Sequence, residues 1–300
     1  MQAMILAAGF GTRLLPYTHV RPKPLFPILN HPLLLLTIRR LQAAGFDHIV
    51  VNAHHLADQI VAAVDGLAGV EVQVEERELG TGGGLRRALS RFRDEPLLVT
   101  NGDIYHTIDY QLFYNLHLAG SDPVTLALRN EPRFNKVLIQ LDQVQNFDCD
   151  GLSECLAFTG LHVLEPQVLQ SIAEGRPSCI LDCYRDLLSA GGSIGVFRAD
   201  HWYWTDMGTP EDYLDLHGGL LQGAIPLWEE LDGAGFPFCL DPGVVPGVDL
   251  QLTEWAAIGS AKLGAGVHVE RSVVWDGADL APDSHVVDLI VTPQPVSPEP

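Results

Sequence analysis

Residues 4–28 read MILAAGFGTRLLPYTHVRPKPLFPI: an apolar run breaks at Gly9 and Gly11, and Arg13, Arg21 and Lys23 then fall among four prolines. A short apolar run that enters glycines reads as a buried strand ending in a loop. In open α/β sheets the ligand crevice lies beyond the carboxyl ends of the strands. Glycines placed there let backbone N–H groups approach phosphate oxygens closely. Pro22 and Pro24 restrict the backbone around Lys23, and an ammonium on a stiff loop is a suitable phosphate contact. Two familiar alternatives fail on spacing. Gly9 and Gly11 have no third glycine at position 14, as a dinucleotide fingerprint requires, and no Gly-Lys-Ser/Thr follows for a P-loop.

Outward from this stretch, apolar runs alternate with helix-like segments: AMILAA, PLLLLTIRRLQAAG, HIVVNA, LADQIVAAV, VEVQVEE, GGLRRALSRF and PLLVTNGD. This rhythm predicts an α/β fold, a Rossmann-like mixed, mainly parallel sheet flanked by helices. HIVV and LLVT suit strands covered on both faces, whereas VEVQVEE alternates and belongs nearer an edge. NKVLIQL, LAFTGLHVL and SIGVFRA continue the strand pattern after a change of rhythm. TPEDYLDLHGGLLQG carries Thr209 as N-cap and Pro210 at the first helical position, and closes a catalytic domain spanning 1–223. Residues 224–250 are rich in glycine and proline and read as a connector. Ile258, Leu263, Val269, Val274, Leu280 and Val286 then recur at roughly six-residue intervals, predicting a short partial left-handed β-helix over 251–292. The Pro-rich end, 293–300, is expected to be a disordered tail.

Three hundred residues with 47% apolar and 19% charged side chains describe a globular protein with a sizeable core. Its formal charge of -20 sets it against nucleic acid and anionic membrane surfaces, so the cations of the opening stretch imply an anion received locally. Five cysteines without CxxC spacing are expected to be reduced thiols. No segment reaches the length of a membrane span and no secretory leader is evident, so a cytoplasmic location with no membrane partner is expected.

The stretch LAAGFGTRLLPYTHVRPKPL resembles the signature of the sugar-1-phosphate nucleotidyltransferase family, and further segments follow in the family's order: LGTGGGL at 79–85, NGD at 101–103, FTGLHVL at 158–164 and WTDMGTPEDY at 204–213. The resemblance implies the nucleotide-diphospho-sugar transferase fold and Mg2+-dependent transfer of a nucleoside monophosphate from an NTP to a sugar 1-phosphate, releasing pyrophosphate. It places Arg13 and Lys23 on the phosphates as catalytic groups, and Leu6, Ala7, Ala8, Gly9, Gly11, Thr12, Thr81, Gly82 and Gly83 around the nucleotide. Asn135, Lys136 and Gly160 would meet the sugar phosphate, and Asp103 and Asp206 would bind Mg2+. These residue types suit the chemistry. Both reactants are anions, and attack at the α-phosphorus requires charge neutralisation and in-line positioning. Mg2+ takes one or two carboxylates together with substrate phosphates.

Gly80–Gly84 opens the helical segment GGLRRAL and is expected to present free N–H groups at a positive helix end, close helix packing being the alternative. Many relatives carry a Glu-Lys-Pro segment where this chain has SECLAFTG, so the sugar is left open and Lys136 is the candidate replacement. The TGGG pattern looks most like mannose or heptose guanylyltransferases and N-acetylmuramate 1-phosphate uridylyltransferases, which implies GTP or UTP and a cell-envelope polysaccharide or peptidoglycan precursor. The rival is a catalytically inactive regulatory or binding subunit of the same fold. His54 and His55 are read as capping or packed side chains. The C-terminal repeat, too short to bury a core alone, predicts a homo-oligomer.

Overall fold

The computed structural model describes residues 1–149 and 154–293; most of the expected 293–300 tail therefore lies outside the described residues. The run that opens the chain becomes β1 (Gln2–Leu6), and Ala3, Met4 and Ile5 within it are fully buried. Eight more strands share its sheet: β2 (His48–Ala53), β3 (Val70–Val74), β4 (Leu97–Asn101), β5 (Val124–Arg129), β6 (Asn135–Gln140), β7 (Gln143–Asn146), β8 (Cys155–Leu164) and β9 (Gly195–Arg198). Their order is β3-β2-β1-β4-β8-β5-β9-β7-β6. The edge position of β3 agrees with its alternating sequence. β8 runs antiparallel between β4 and β5, and β7 antiparallel beside β9, so the sheet is mixed, with the remaining strands running one way. Met4, Val50, Val99, Leu126 and Leu164 are fully buried in one apolar cluster, each contributing about 1.5–3 kcal/mol.

By packing, the chain groups into two compact units: Met1–Gly9 with Ile38–Trp204, and Phe10–Thr37 with Thr205–Pro300. Residues 205–223, placed by sequence with the catalytic segment, thus group with the C-terminal strands. In this second unit the helix Pro210–Leu221 starts with a full capping box: the Thr209 hydroxyl accepts from the Asp212 N–H, and the Asp212 carboxylate accepts from the Thr209 N–H. Tyr213 of this helix is fully buried and packs edge-on against Phe26, ring centroids 5.7 Å apart.

The second unit also holds parallel strands Phe238–Leu240, Gln251–Ile258 and His268–Val274, the last paired with His285–Val287 and Ile290–Val291. Gln251, His268 and His285 stand side by side on successive strands. The six apolar positions picked out by their spacing, from Ile258 to Val286, are all buried in one cluster. At one corner Glu254, Arg271 and Asp288 stack, each with positive φ, and Arg271 bonds to both carboxylates.

The expectation of five free thiols is corrected. Cys149 and Cys155 form a disulfide, their Cα atoms 6.1 Å apart, while Cys179, Cys183 and Cys239 are free. The pairing of β6 with β8 supplies the proximity, because the Cys149 N–H donates to the Lys136 carbonyl while Cys155 stands opposite Leu138. Sequence separation alone did not reveal it. No described helix is long and apolar enough to cross a membrane.

Candidate active site

In the first unit, β1 lies between β2 and β4 with their carboxyl ends level: Leu6 stands opposite both Asn52 and Asn101. Neighbouring strands that connect away in opposite directions leave a crevice at this end. Ala7, Ala8 and Gly9 leave β1 here. The Ala7 N–H donates to Asn52 Oδ1 at 2.8 Å, while the N–H groups of Ala8 and Gly9 bond to no described residue. Gly9 is exposed, and a Cβ added to it would meet nothing within 4 Å, so the surrounding protein does not demand a glycine there.

Asn52 continues into a buried network absent from the sequence reading. Its Nδ2 donates to Glu75 Oε1 at 2.9 Å, and Glu75 also accepts from Gln73 Nε2 and from the Leu79 N–H at 3.3 Å. Gln73 donates as well to the Gly84 carbonyl at 3.0 Å. Asn52, Gln73 and Glu75 are 1–2% exposed, whereas Val74 between them is 44% exposed. The polarity of β3 is therefore inverted where it meets the site. The available signal was the polar ending of two apolar strands, since a buried amide or carboxylate must find partners.

The Gly80–Ala88 helix realises the packing alternative for its glycines. The N–H groups of Gly82 and Gly83 donate to the Ser178 carbonyl at 2.9 and 3.3 Å, so the expected free N–H groups are not free. A Cβ on Gly83 would stand 2.6 Å from the Arg176 carbonyl oxygen, and one on Gly82 2.8 Å from Ser178 Oγ. Thr81 Oγ1 accepts from the Ile180 N–H at 2.9 Å. The helix terminus is spent on the 176–180 segment.

Asn101 and Gly160 come together because Gly160 sits at an irregularity of β8 with φ +79°, and a Cβ there would lie 2.4 Å from Asn101 Nδ2. Asp103 follows in the turn after β4, where the Gly102 N–H donates to the Leu6 carbonyl. Asn135 is committed locally: its Nδ2 donates to Asn130 Oδ1 and its Oδ1 accepts from the Glu131 N–H, both at 2.8 Å. Lys136 is exposed on β6, whose residue Asn135 stands opposite Ala157 of the strand carrying Gly160. His54 Nδ1 bonds to the Glu75 carbonyl at 2.8 Å, a packed role as expected.

The second unit gathers Gly11, Thr12, Arg13, Lys23 and Asp206. Gly11 adopts φ 62°, and a Cβ on it would lie 2.9 Å from Thr18 Cγ2 and 3.5 Å from Lys23 Cβ. The N–H groups of Gly11 and Thr12 bond to no described residue. Arg13 meets Asp206 at 3.3 Å, the guanidinium side chain 58% exposed and the carboxylate 16%. Gly208, which the sequence reading did not single out, makes this pair possible: a Cβ there would stand 2.7 Å from Arg13 Nη1 and 2.9 Å from Asp206 Oδ2. Lys23 is buried on the turn Lys23–Leu25, entered from extended Pro22. Arg21 is diverted from the expected anion-receiving set, because it pairs with Asp276 at 2.8 Å.

Comparison with known proteins settles the family. The model of the nucleotidyl transferase family matches residues 2–223. The chain belongs to this family. Among curated relatives, mannose-1-phosphate guanylyltransferase of Mycobacterium tuberculosis is 28% identical over 293 residues, 92% of this chain and 80% of that one. N-acetylmuramate alpha-1-phosphate uridylyltransferase of Caulobacter vibrioides is 30% identical over 226 residues, 70% of this chain and 92% of the relative. Among solved structures, HddC of Yersinia pseudotuberculosis superposes with a TM-score of 0.61 at 24% identity, covering 72% of this chain and 97% of that one. The likeness confirms a mixed α/β nucleotidyltransferase fold.

Proposed function

We propose that the protein transfers a nucleoside monophosphate from an NTP to a sugar 1-phosphate and releases pyrophosphate. The observation that carries this reading lies in the second unit: a left-handed turn at Gly11, where the N–H groups of Gly11 and Thr12 bond to no described residue, beside Lys23 and followed by the Arg13 guanidinium. Unbonded N–H groups with fixed cations make a phosphate site. Arg13 neutralises charge that develops on the phosphates, and Lys23 holds the sugar phosphate or the α-phosphate. In the first unit, the N–H groups of Ala8 and Gly9 bond to no described residue, and the absent Cβ of Gly9 leaves open space there. The nucleophile is a phosphate already ionised at neutral pH, so no general base is required. Thr81, Gly82 and Gly83 support the nucleotide through the wall they build, with Leu6 and Ala7 at the end of β1. The missing Cβ of Gly160 leaves room for the Asn101 side chain, and Lys136 is the candidate cation toward the sugar phosphate.

Asp103 and Asp206 have the hard oxygen donors that suit Mg2+. Among the described residues no group of three or more His, Cys, Asp or Glu is arranged to hold a metal ion. An ion held by carboxylates of this kind together with the nucleotide would supply charge neutralisation at the phosphates. The exposed Arg13–Asp206 pair contributes no more than about 1 kcal/mol, so exchanging it for ligand is inexpensive.

The names of the two relatives support GTP or UTP as donor and mannose 1-phosphate or N-acetylmuramate 1-phosphate as the kind of acceptor; a cell-envelope precursor as product and a cytoplasmic setting are part of what we propose. The parallel C-terminal strands are read as a partial left-handed β-helix that also joins subunits in a homo-oligomer. The test is pyrophosphate release by the purified chain with Mg2+, across a panel of NTPs and of mannose, heptose, glucose and N-acetylmuramate 1-phosphates. Turnover with one GTP or UTP pairing is expected; no turnover with any pair overturns the reading.

A further inference from the structure

The loop that carries Lys23 is wrapped around a tryptophan from the far end of the chain. Trp275 is fully buried. The Arg21 guanidinium lies over its face, 4.7 Å from the ring centroid, and Phe26 meets it edge-on at 4.7 Å. The Trp275 Nε1–H donates to the Tyr213 hydroxyl at 3.2 Å, and that hydroxyl donates to the Pro27 carbonyl at 2.5 Å. Asp276, next in sequence, accepts from Arg21 at 2.8 Å. These contacts bracket the Lys23–Leu25 turn, Arg21 on one side and Phe26 and Pro27 on the other. Pro22 and Pro24 stiffen the loop, but stiffness alone does not decide where it sits; Trp275 and Asp276 give it a fixed seat.

We propose that Trp275 and Asp276 are positioning residues for Lys23, so that the C-terminal strands serve the chemistry and not only assembly. The role rests on reading Lys23 as a phosphate contact. A guanidinium stacked on indole and paired with a carboxylate is held in direction as well as distance. An ammonium only an ångström astray loses much of its effect on a phosphate.

Burying a tryptophan also stabilises the fold, so the test must separate positioning from stability. A double-mutant cycle in the full-length protein does this, with pyrophosphate release as the readout. Asp276→Asn is expected to lower kcat/KM about threefold and Trp275→Leu about tenfold when Lys23 is present. In a Lys23→Ala background each should cost less than about 1.5-fold, because nothing remains to be positioned. Asp276→Glu should recover most of the activity. If Trp275→Leu does not fold, Trp275→Phe, which keeps an aromatic face and loses the N–H, takes its place in the cycle. Equal losses in both backgrounds overturn the positioning role while the proposed function stands. An unsubstituted chain without turnover on any substrate pair overturns the function, and the role of Lys23 with it.

Discussion

Gly9 and Gly83 both stand in glycine-rich segments, yet they lack side chains for different reasons, and one methyl group at each separates them. At Gly83 two effects compete. Replacing a helical glycine by alanine gains about 0.5–1 kcal/mol of helix propensity. Against that, the new Cβ would stand 2.6 Å from the Arg176 carbonyl oxygen and 3.1 Å from Leu79 Cβ, so helix and loop must separate. Such overpacking costs about 1–3 kcal/mol, and stretching the bonds to the Ser178 carbonyl adds about 1 kcal/mol. Gly83→Ala should therefore be destabilised by about 1–3 kcal/mol net in urea unfolding. Gly9→Ala meets open space and should stay within about 0.5 kcal/mol of the parent. Its effect should appear in catalysis, as a KM for the NTP raised about tenfold, since the methyl would occupy the proposed path of a phosphate. A stable Gly83→Ala would refute the packing account. A Gly9→Ala protein with unchanged NTP KM would refute reserved space at the loop.

Other outcomes follow from the same contacts. Glu75→Gln turns an amide donor toward Asn52, Gln73 or the Leu79 N–H, and should lose about 2–3 kcal/mol of stability, checked by chemical unfolding. Asp103→Asn and Asp206→Asn should each lower turnover steeply while melting temperature holds; near-normal Mg2+-dependent rates in both would rule out metal binding. Arg13→Lys should fall well beyond a few-fold in kcat/KM, because an ammonium cannot reproduce the forked donors. His162 is buried without a hydrogen-bond partner among the described residues, and burial pushes its pKa from 6.5 to about 3. The unfolded chain therefore takes up a proton near pH 6.5 that the folded one refuses until about 3, and stability should fall as pH drops through that window. His162→Phe, which keeps the stack on Phe158, should flatten that slope in unfolding measured against pH.

The sequence by itself determined the strand–loop–helix rhythm, the edge placement of β3, the capped helix at Thr209 and the buried apolar rhythm from Ile258 to Val286. Each rests on local periodicity or on a cap, which neighbouring residues decide among themselves. By resemblance to the family's motifs it also nominated Arg13, Lys23, Asp103 and Asp206 for phosphate chemistry. Only the tertiary structure decided how those groups are held. The Arg21 stack on Trp275, the Asn52–Glu75 network, the Cys149–Cys155 bond and the seat of Gly83 against Arg176 join residues remote in sequence, or residues whose neighbours give no hint of a partner. A glycine looks the same in sequence whether it yields space to a ligand or to a carbonyl of its own chain. The difference lies in what stands within a few ångströms of the missing Cβ, and folding alone supplies that neighbour.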